Sequence, residues 1–270
     1  GNATRPVNEG KGDGRVTEIP ESHPRRSSLL SRQKMVDGAK RGLLADSAMI
    51  AHGRGEAYDY LLGEKTTASA SLAIREAAAR LLHAKRPVIS MNGNSTVLAG
   101  AGAIKIAAVV GCPIEVNIYY RTKERMTRLV KELETIREEL LDSSPPEERD
   151  SISGVEILGL VSDGRIRGLE GPRSFCSADG IEKADVVLVP LEDGDRCEAL
   201  IALGKEVIAI DLNPLSRTSR TATVTIVDEV SRALRGILNE LSSKPEPSPW
   251  DNDSALRGAL EVMRNARMRI

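Results

Sequence analysis

Aromatic side chains are scarce in this sequence, which contains one Trp, one Phe and four Tyr among its 270 residues. Proteins that bind single-stranded nucleic acids stack several bases on aromatic rings, and few rings are available here. Neither sign of charge is in excess, because 38 Lys and Arg face 39 Asp and Glu. Since no global field attracts polyanions, we expect neither a nucleic acid nor a membrane among the partners.

Cysteines and long apolar runs are few as well. Cys112, Cys176 and Cys197 are widely separated and form no C-x-x-C pair, which favours a reducing compartment. No apolar run approaches the roughly 20 residues that cross a bilayer. The sequence also does not open with the charged stretch and apolar segment of a secretory signal. These features predict a cytoplasmic protein.

The standard phosphate-binding motifs are missing. The sequence has no G-x-x-x-x-G-K-[ST], and its nearest approach to G-x-G-x-x-G, at residues 100–102, lies in a predicted helix and continues to Lys105. A bound nucleotide would therefore need arginine side chains and helix N-termini to hold its phosphates. Arg25, Arg54 and Arg217 are the candidates, because each lies in a turn rich in Gly, Pro or Ser.

What is present is an alternation of helical patterns with apolar runs. Predicted helices span residues 27–40, 67–84, 96–110, 122–141, 195–203 and 229–241. Predicted strands span residues 88–91, 113–118, 155–160, 185–191, 207–212 and 224–228. The strands are nearly continuous in Val, Ile and Leu, as expected where helices cover both faces of a parallel sheet. We predict an α/β fold with a Rossmann-like, mainly parallel sheet flanked by helices and an N-terminal helical segment.

Composition divides the chain into three parts. Residues 1–18 have too few apolar side chains to offset the entropy of ordering, so we expect a disordered tail. Residues 19–242 are predicted to form one α/β domain, in which residues 142–153, with their paired prolines, are an inserted loop. Residues 243–270 are predicted to be a flexible linker and a helix that could dock on a partner subunit.

Polar residues follow four of the predicted strands, at residues 92–94, 119–121, 192–196 and 211–217. Ligands of open parallel sheets bind beyond the carboxyl ends of the strands, so these clusters indicate a binding site. Any one such loop is more often polar simply because it is exposed. Four together favour a site.

Two of these clusters contain carboxylates that suit particular ligands. Asp211 and Asn213 suit ribose hydroxyls or an adenine edge, and a role in helix capping or an Asx-turn fits them equally well. Glu192, Asp193 and Asp195 could hold Mg²⁺ through water, and an acidic loop that faces solvent fits them about as well.

Residues 51–64 are predicted to be a loop with a dense polar cluster. His52, Arg54 and Glu56 offer a titratable base, a cation and a carboxylate, and the two intervening glycines make the backbone permissive. Such a loop could bind a small anion closely, or it could be an ordinary surface turn. The histidines do not lie at metal-ligand spacing from one another or from a cysteine, which argues against a structural zinc site.

Five strings of the sequence resemble one known family. They are IPESHPR (19–25), IAHGRGEAYDYLLGE (50–64), ISMNGN (89–94), VLVPLEDGDR (187–196), and IDLNPLSRT with TVTIVD (210–228). Together they resemble archaeal phosphopantothenate synthetase, or 4-phosphopantoate–β-alanine ligase, over residues 19–242.

The resemblance implies a Rossmann-like homodimeric ligase of coenzyme A biosynthesis. Such an enzyme joins 4-phosphopantoate to β-alanine while ATP is split into AMP and diphosphate, through an acyl-adenylate and with Mg²⁺. By the family's pattern the ATP site consists of Arg25, Asp211, Leu212, Asn213, Arg217, Thr218, Glu229 and Val230. The family more usually has Asn-Ile at the last two positions, so Glu229 departs from the pattern.

The remaining candidate residues are assigned to the acid substrate. We expect 4-phosphopantoate to contact residues that suit an anion, namely His52, Arg54, Asn92, Asn94 and Arg121. His52 and Arg54 are also the candidates for catalysis.

Two other classes of function compete with a ligase. A non-catalytic nucleotide-sensing module would bind ATP through the same arginines without group transfer. A dinucleotide-dependent oxidoreductase would share the sheet, but the missing glycine fingerprint argues against it.

Overall fold

The computed structural model describes residues 18–191 and 193–267, so the tail predicted at residues 1–18 lies, except for Glu18, outside the described residues. The described strands are β1 (Pro87–Met91), β2 (Ile114–Val116), β3 (Ile157–Leu158), β4 (Gly164–Arg165), β5 (Phe175–Cys176), β6 (Val186–Pro190), β7 (Glu206–Ile210) and β8 (Val224–Ile226). The described α-helices are α1 (Arg26–Lys40), α2 (Ala48–Leu62), α3 (Ala68–His83), α4 (Gly93–Val110), α5 (Lys123–Ser143), α6 (Pro146–Ser153), α7 (Gly194–Ala202), α8 (Arg217–Thr221), α9 (Val230–Leu241) and α10 (Asn252–Arg264).

The main sheet is parallel and has the order β3-β2-β1-β6-β7-β8. The chain runs outward from β1 to β3 and then returns to the other side of β1 to build β6, β7 and β8. Two short strands, β4 and β5, pair antiparallel outside this sheet. The predicted α/β fold with a mainly parallel sheet is confirmed.

Helices cover both faces of the sheet, and the strand sequences show why. In β6 Val186 and Leu188 pack into one core with α3, α4, α5 and α9, whereas Val187 and Val189 pack into a second core with α7. Successive side chains of a strand point to opposite faces, so a strand that is apolar at every position can fill two cores.

The central helix α4 packs against α9 and α5. By length and composition it is also the one helix in the described part of the chain that could cross a membrane. Ala103, Ile104 and Ile106 have no exposed surface, as expected for a helix at the centre of a layered domain.

The prediction of a loop at residues 51–64 is wrong, because most of this segment belongs to α2. Two glycines lower the intrinsic helix propensity, but Asp59 and Leu62 are buried against other elements, and this packing outweighs the propensity. Gly63 ends the helix with φ of 83°, a left-handed conformation that glycine adopts without strain.

The prediction of an inserted loop at residues 142–153 is also wrong, because most of this segment is helical. Residues up to Ser143 continue α5, and α6 begins directly at Pro146. Proline is tolerated in the first turn of a helix, and Glu147 and Glu148 there interact favourably with the helix dipole. Ile152 is buried, which fixes α6 to the core.

The predicted C-terminal helix is present as α10, but it packs on its own chain. Leu256 and Ala259 lie in a small core with Leu62 of α2 and Leu212 after β7. The segment before α10 is held as well, because the backbone N–H of Ser248 donates to a carboxylate oxygen of Glu76 at 3.1 Å.

Candidate active site

A cavity of about 670 Å³ lies beyond the carboxyl ends of the central strands. Residues that follow β1, β2, β6, β7 and β8 line it, and much of the remaining wall comes from α1, α2 and the start of α9. The direction of strand addition reverses between β1 and β6, and ligands of open α/β sheets bind at this switch point. Small-molecule sites typically enclose about 300–1,000 Å³.

The N-terminus of α4 forms one wall of the cavity. The Asn92 side chain caps the helix by accepting from the Ser95 N–H at 2.9 Å, and its Nδ2 donates to the Leu191 carbonyl at 2.8 Å. Asn94 Nδ2 donates to the Ala48 carbonyl of α2 at 3.1 Å. Because the first N–H groups of a helix attract anions, this wall suits a phosphate or a carboxylate.

A pair of arginines and a pair of glutamates connect α1 to α2 beside the cavity. Arg25 donates to Glu56 and to Glu64, each at 2.7 Å, and its guanidinium lies 4.0 Å from the centre of the Tyr60 ring. Arg32 donates to Glu56 at 2.9 Å. Hydrogen bonds from Arg32 and Arg25 lower the pKa of Glu56 to about 2, so this carboxylate is ionised at neutral pH.

His52 and Arg54 lie on α2 and line the cavity. Neither ring nitrogen of His52 has a hydrogen bond with the described residues, and its Nε2 is shielded from water. Burial lowers the pKa of His52, which favours the neutral ring. Arg54 is exposed and forms no ion pair with the residues that we describe, so its donors are available to a ligand.

A group of buried charges lies at the floor of the cavity. Arg232 of α9 donates to both oxygens of Asp59 and to Asp228 at 2.8 Å. Thr66 donates to the other oxygen of Asp228 at 2.6 Å. Burial raises the pKa of Asp59, although Arg232 opposes this effect. The sequence patterns do not point to Asp59, because its partner Arg232 is 173 residues away.

The carboxylate of Glu229 caps α9 at the edge of the cavity. It accepts from the N–H groups of Ser231 and Arg232, each at 3.0 Å. The side chain that departs from the family's pattern therefore neutralises the N-terminus of its own helix.

The residues implied for ATP are only partly brought together at the cavity. Leu212, Glu229 and Val230 line it, whereas Arg25, Asp211, Asn213, Arg217 and Thr218 lie outside its lining.

The side chains of Asp211 and Asn213 form Asx-turns, which was one of the two roles that the sequence predicted for them. Asp211 accepts from the Asn213 N–H at 2.9 Å and from Ser216 at 2.6 Å, and Asn213 accepts from the Leu215 N–H at 2.9 Å. Burial raises the pKa of Asp211. These bonds fix the loop that follows β7 and leave the other lone pairs of both side chains for a ligand.

Arg121 and the acidic loop after β6 bond to other residues of the protein. Arg121 donates to the Gly159 carbonyl at 2.9 Å and to Ser162, away from the cavity lining. Asp195 pairs with Arg217 at 2.9 Å. Over residues 18–191 and 193–267 no group of three His, Cys, Asp or Glu side chains could hold a metal. Glu192, which was predicted with Asp193 and Asp195 to hold Mg²⁺, lies outside the described residues.

A parallel sheet with this strand order and a cavity at its switch point define a Rossmann-like α/β protein that binds small molecules. The chain belongs to the phosphopantothenate/pantothenate synthetase family, whose profile matches residues 69–265. The resemblance carried by the five strings is confirmed.

Individual relatives agree with the family assignment. The chain is 48% identical over 218 residues to a 4-phosphopantoate–β-alanine ligase of Thermococcus kodakarensis, covering 81% of this chain and 78% of the relative. It is 50% identical over 223 residues to a ligase of the same name from Methanospirillum hungatei, covering 81% and 83%. A third, from Methanosarcina mazei, is 47% identical over 219 residues, covering 81% and 80%.

Proposed function

We propose that this chain joins 4-phosphopantoate to β-alanine and forms 4′-phosphopantothenate for coenzyme A biosynthesis, with ATP split into AMP and diphosphate. The observation that carries the proposal is the cavity at the switch point, where the α4 N-terminus and Arg54 both suit an anion. Relatives that bear the name of this activity and are 47–50% identical to the chain support the choice of substrates.

We assign 4-phosphopantoate to the α4 side of the cavity. Asn92 and Asn94 line this wall, and His52 and Arg54 line the cavity from α2. Arginine and helix N–H groups are the usual partners of phosphate and carboxylate oxygens. Arg121, the fifth residue expected to contact this substrate, is excluded from the assignment because it binds Gly159 and Ser162 instead.

We assign ATP to the ends of β7 and β8. Leu212, Glu229 and Val230 form the cavity wall there, and residues 211–218 form the adjoining loop. Arg25 and Arg217 would have to exchange the carboxylates that they bind for phosphate oxygens. Two arginines that reach the same anion would neutralise charge as the diphosphate leaves.

The proposed reaction has two steps. A carboxylate oxygen of 4-phosphopantoate attacks the α-phosphate of ATP, the bond to diphosphate breaks, and an acyl-adenylate forms. The amine of β-alanine then displaces AMP. Both steps depend on holding charged groups in line rather than on covalent chemistry with the protein.

The proposal includes a homodimer and a location in the cytoplasm. It also includes Mg²⁺, which would enter with ATP, since such ions are usually held by phosphates and at most one or two carboxylates.

The proposal is tested with the purified chain, ATP and Mg²⁺. We expect AMP, diphosphate and 4′-phosphopantothenate, identified by mass spectrometry, to accumulate only when 4-phosphopantoate and β-alanine are both present. ADP in place of AMP would overturn the adenylate route. Replacement of 4-phosphopantoate by unphosphorylated pantoate is the matched control and should give no product. Binding of ATP without any product would support a nucleotide-sensing module instead.

A further inference from the structure

The carboxylates that we describe in the cavity wall all accept hydrogen bonds from the chain. Glu56 accepts from Arg25 and Arg32, and Asp59 from Arg232. The others are Glu64, Asp193 and Glu229, which accept from side-chain or backbone donors. Hydrogen bonds to the ionised form make a carboxylate a weaker base. Burial of Asp59 acts in the other direction, but Arg232 binds both of its oxygens.

His52 differs from these groups. It is the one imidazole among the described residues of the wall, and neither of its nitrogens has a hydrogen bond to any residue in the described part of the chain. Its Nε2 is shielded from water without a partner. A buried polar atom in this state destabilises the free protein, and a hydrogen-bonding group on a ligand would satisfy it. The ring is neutral near neutral pH and keeps one lone pair.

We propose that His52 is the general base that takes a proton from the ammonium group of β-alanine. This inference rests on the proposed function. An N–H bond of the ammonium breaks and its proton passes to a ring nitrogen of His52. The freed lone pair forms the C–N bond with the acyl carbon, and the bond from that carbon to the phosphate oxygen of AMP breaks. The amine's second proton leaves with AMP, and His52 returns its proton to water.

Charged groups on three elements face the ring. Glu56 lies one turn further along α2, Glu229 lies at the start of α9, and Arg32 projects from α1. The two carboxylates stabilise the imidazolium that forms in this step, and Arg32 opposes them. The α4 wall contributes Gly93 and Asn94, which do not titrate. Burial lowers the pKa of His52 and keeps the resting ring neutral, and the two carboxylates partly offset the cost of the charge that forms when the ring takes up a proton.

The test is His52→Gln, with each half of the reaction measured separately. Exchange of labelled diphosphate into ATP in the presence of 4-phosphopantoate, which needs no β-alanine, should stay close to the wild-type rate. The kcat/KM for β-alanine should fall by about 10²–10⁴-fold, the usual contribution of a general base. In the wild type, kcat/KM for β-alanine should fall as the pH drops through the pKa of His52, and the variant should lack this limb. Hydroxylamine, whose nitrogen is already unprotonated at neutral pH, should restore the rate.

His83→Gln is the matched control, because His83 bonds to Ala79 and pairs with Glu246 away from the cavity. It should behave as the wild type in both halves. Unchanged β-alanine kinetics in His52→Gln, or equal loss of exchange and ligation, would overturn the role of His52. Absence of exchange in the wild type would instead refute the adenylate route, so the two failures are distinguishable.

Discussion

Arg232 and Asp59 are joined by two hydrogen bonds across the floor of the cavity, with Nη1 lying 3.2 Å from Oδ2 and Nη2 lying 2.5 Å from Oδ1. Asp59 is only 4% exposed, and Asp228, which also binds Arg232, has no exposed surface. One guanidinium therefore holds α2, which forms part of the cavity wall, to the end of β8. Arg232 is the cation that pairs with both buried carboxylates, while Asp228 also accepts from Thr66 and from the Glu229 N–H.

Replacement of Arg232 by Met should lower the free energy of unfolding by about 3–5 kcal/mol, because two buried carboxylates lose the cation that neutralises them. Urea denaturation at neutral pH measures this loss. The deficit should shrink in mild acid, where the unpaired carboxylates take up protons. Arg235→Met, an exposed arginine of the same helix, is the control and should stay within about 0.5 kcal/mol of the wild type. Equal effects of the two changes would contradict the prediction.

Replacement of Arg54 by Ala should weaken binding of 4-phosphopantoate by about 10- to 100-fold, the worth of a charge-assisted hydrogen bond of about 1.5–3 kcal/mol. The free energy of unfolding of the Arg54→Ala protein should equal that of the wild type, because the Arg54 side chain is exposed and forms no ion pair with the described residues. Calorimetric titration and single-turnover rates measure the effect. Arg121→Ala should show the opposite pattern, with stability lowered and affinity kept. Wild-type single-turnover rates in Arg54→Ala would remove Arg54 from the site.

Replacement of Gly93 by Ala should lower both stability and activity. A Cβ at Gly93 would lie 2.9 Å from the Leu43 carbonyl oxygen and 3.1 Å from a methyl of Leu44, so the α4 N-terminus and the chain before α2 must separate. Overpacking of this kind costs about 1–3 kcal/mol. Gly53→Ala is the matched control, since no heavy atom lies within 4 Å of its added Cβ. It should raise stability by about 0.5–1 kcal/mol, and a loss there would contradict the packing argument.

Replacement of Glu56 by Gln should reduce stability in a manner that depends on pH. Arg32 and Arg25 hold the pKa of Glu56 at about 2, below its ordinary value of 4.5. A depressed pKa in the folded state stabilises the protein above pH 4.5, and the contribution disappears as the pH falls towards 2. The difference between wild type and variant in urea unfolding should therefore be largest at neutral pH. Glu134→Gln, at an exposed position of α5, should show no such trend.

Replacement of Glu229 by Ala should remove the cap of α9 and lower stability by about 0.5–2 kcal/mol. Glu229→Asn should keep stability, because Asn is among the best N-cap residues. It should also keep the KM for ATP, if ATP contacts the backbone there and not the side chain. A large rise of this KM in Glu229→Asn would show that the glutamate side chain itself contacts ATP.

The strands and most helices could be predicted because their signals are local. Val186 to Val189 is apolar at every position, which indicates a strand covered on both faces, and Met126, Leu129 and Leu133 mark one buried stripe of α5. The loops predicted at 51–64 and 142–153 relied on glycine and proline as helix breakers. Both segments are mainly helical because buried contacts and favourable positions in the first turn outweigh a propensity cost of about 1 kcal/mol per glycine.

The sequence alone determined the family, the parallel sheet and the strand ends at which polar residues collect, because these depend on strings of neighbouring residues and on the period of apolar side chains. The tertiary structure decided which polar residues share the cavity. It placed His52, Arg54 and Asn94 together, turned Arg121 away, and paired Asp59 with a partner 173 residues distant. No local pattern encodes such pairs, because they come together only when α2 and α9 both pack on α4.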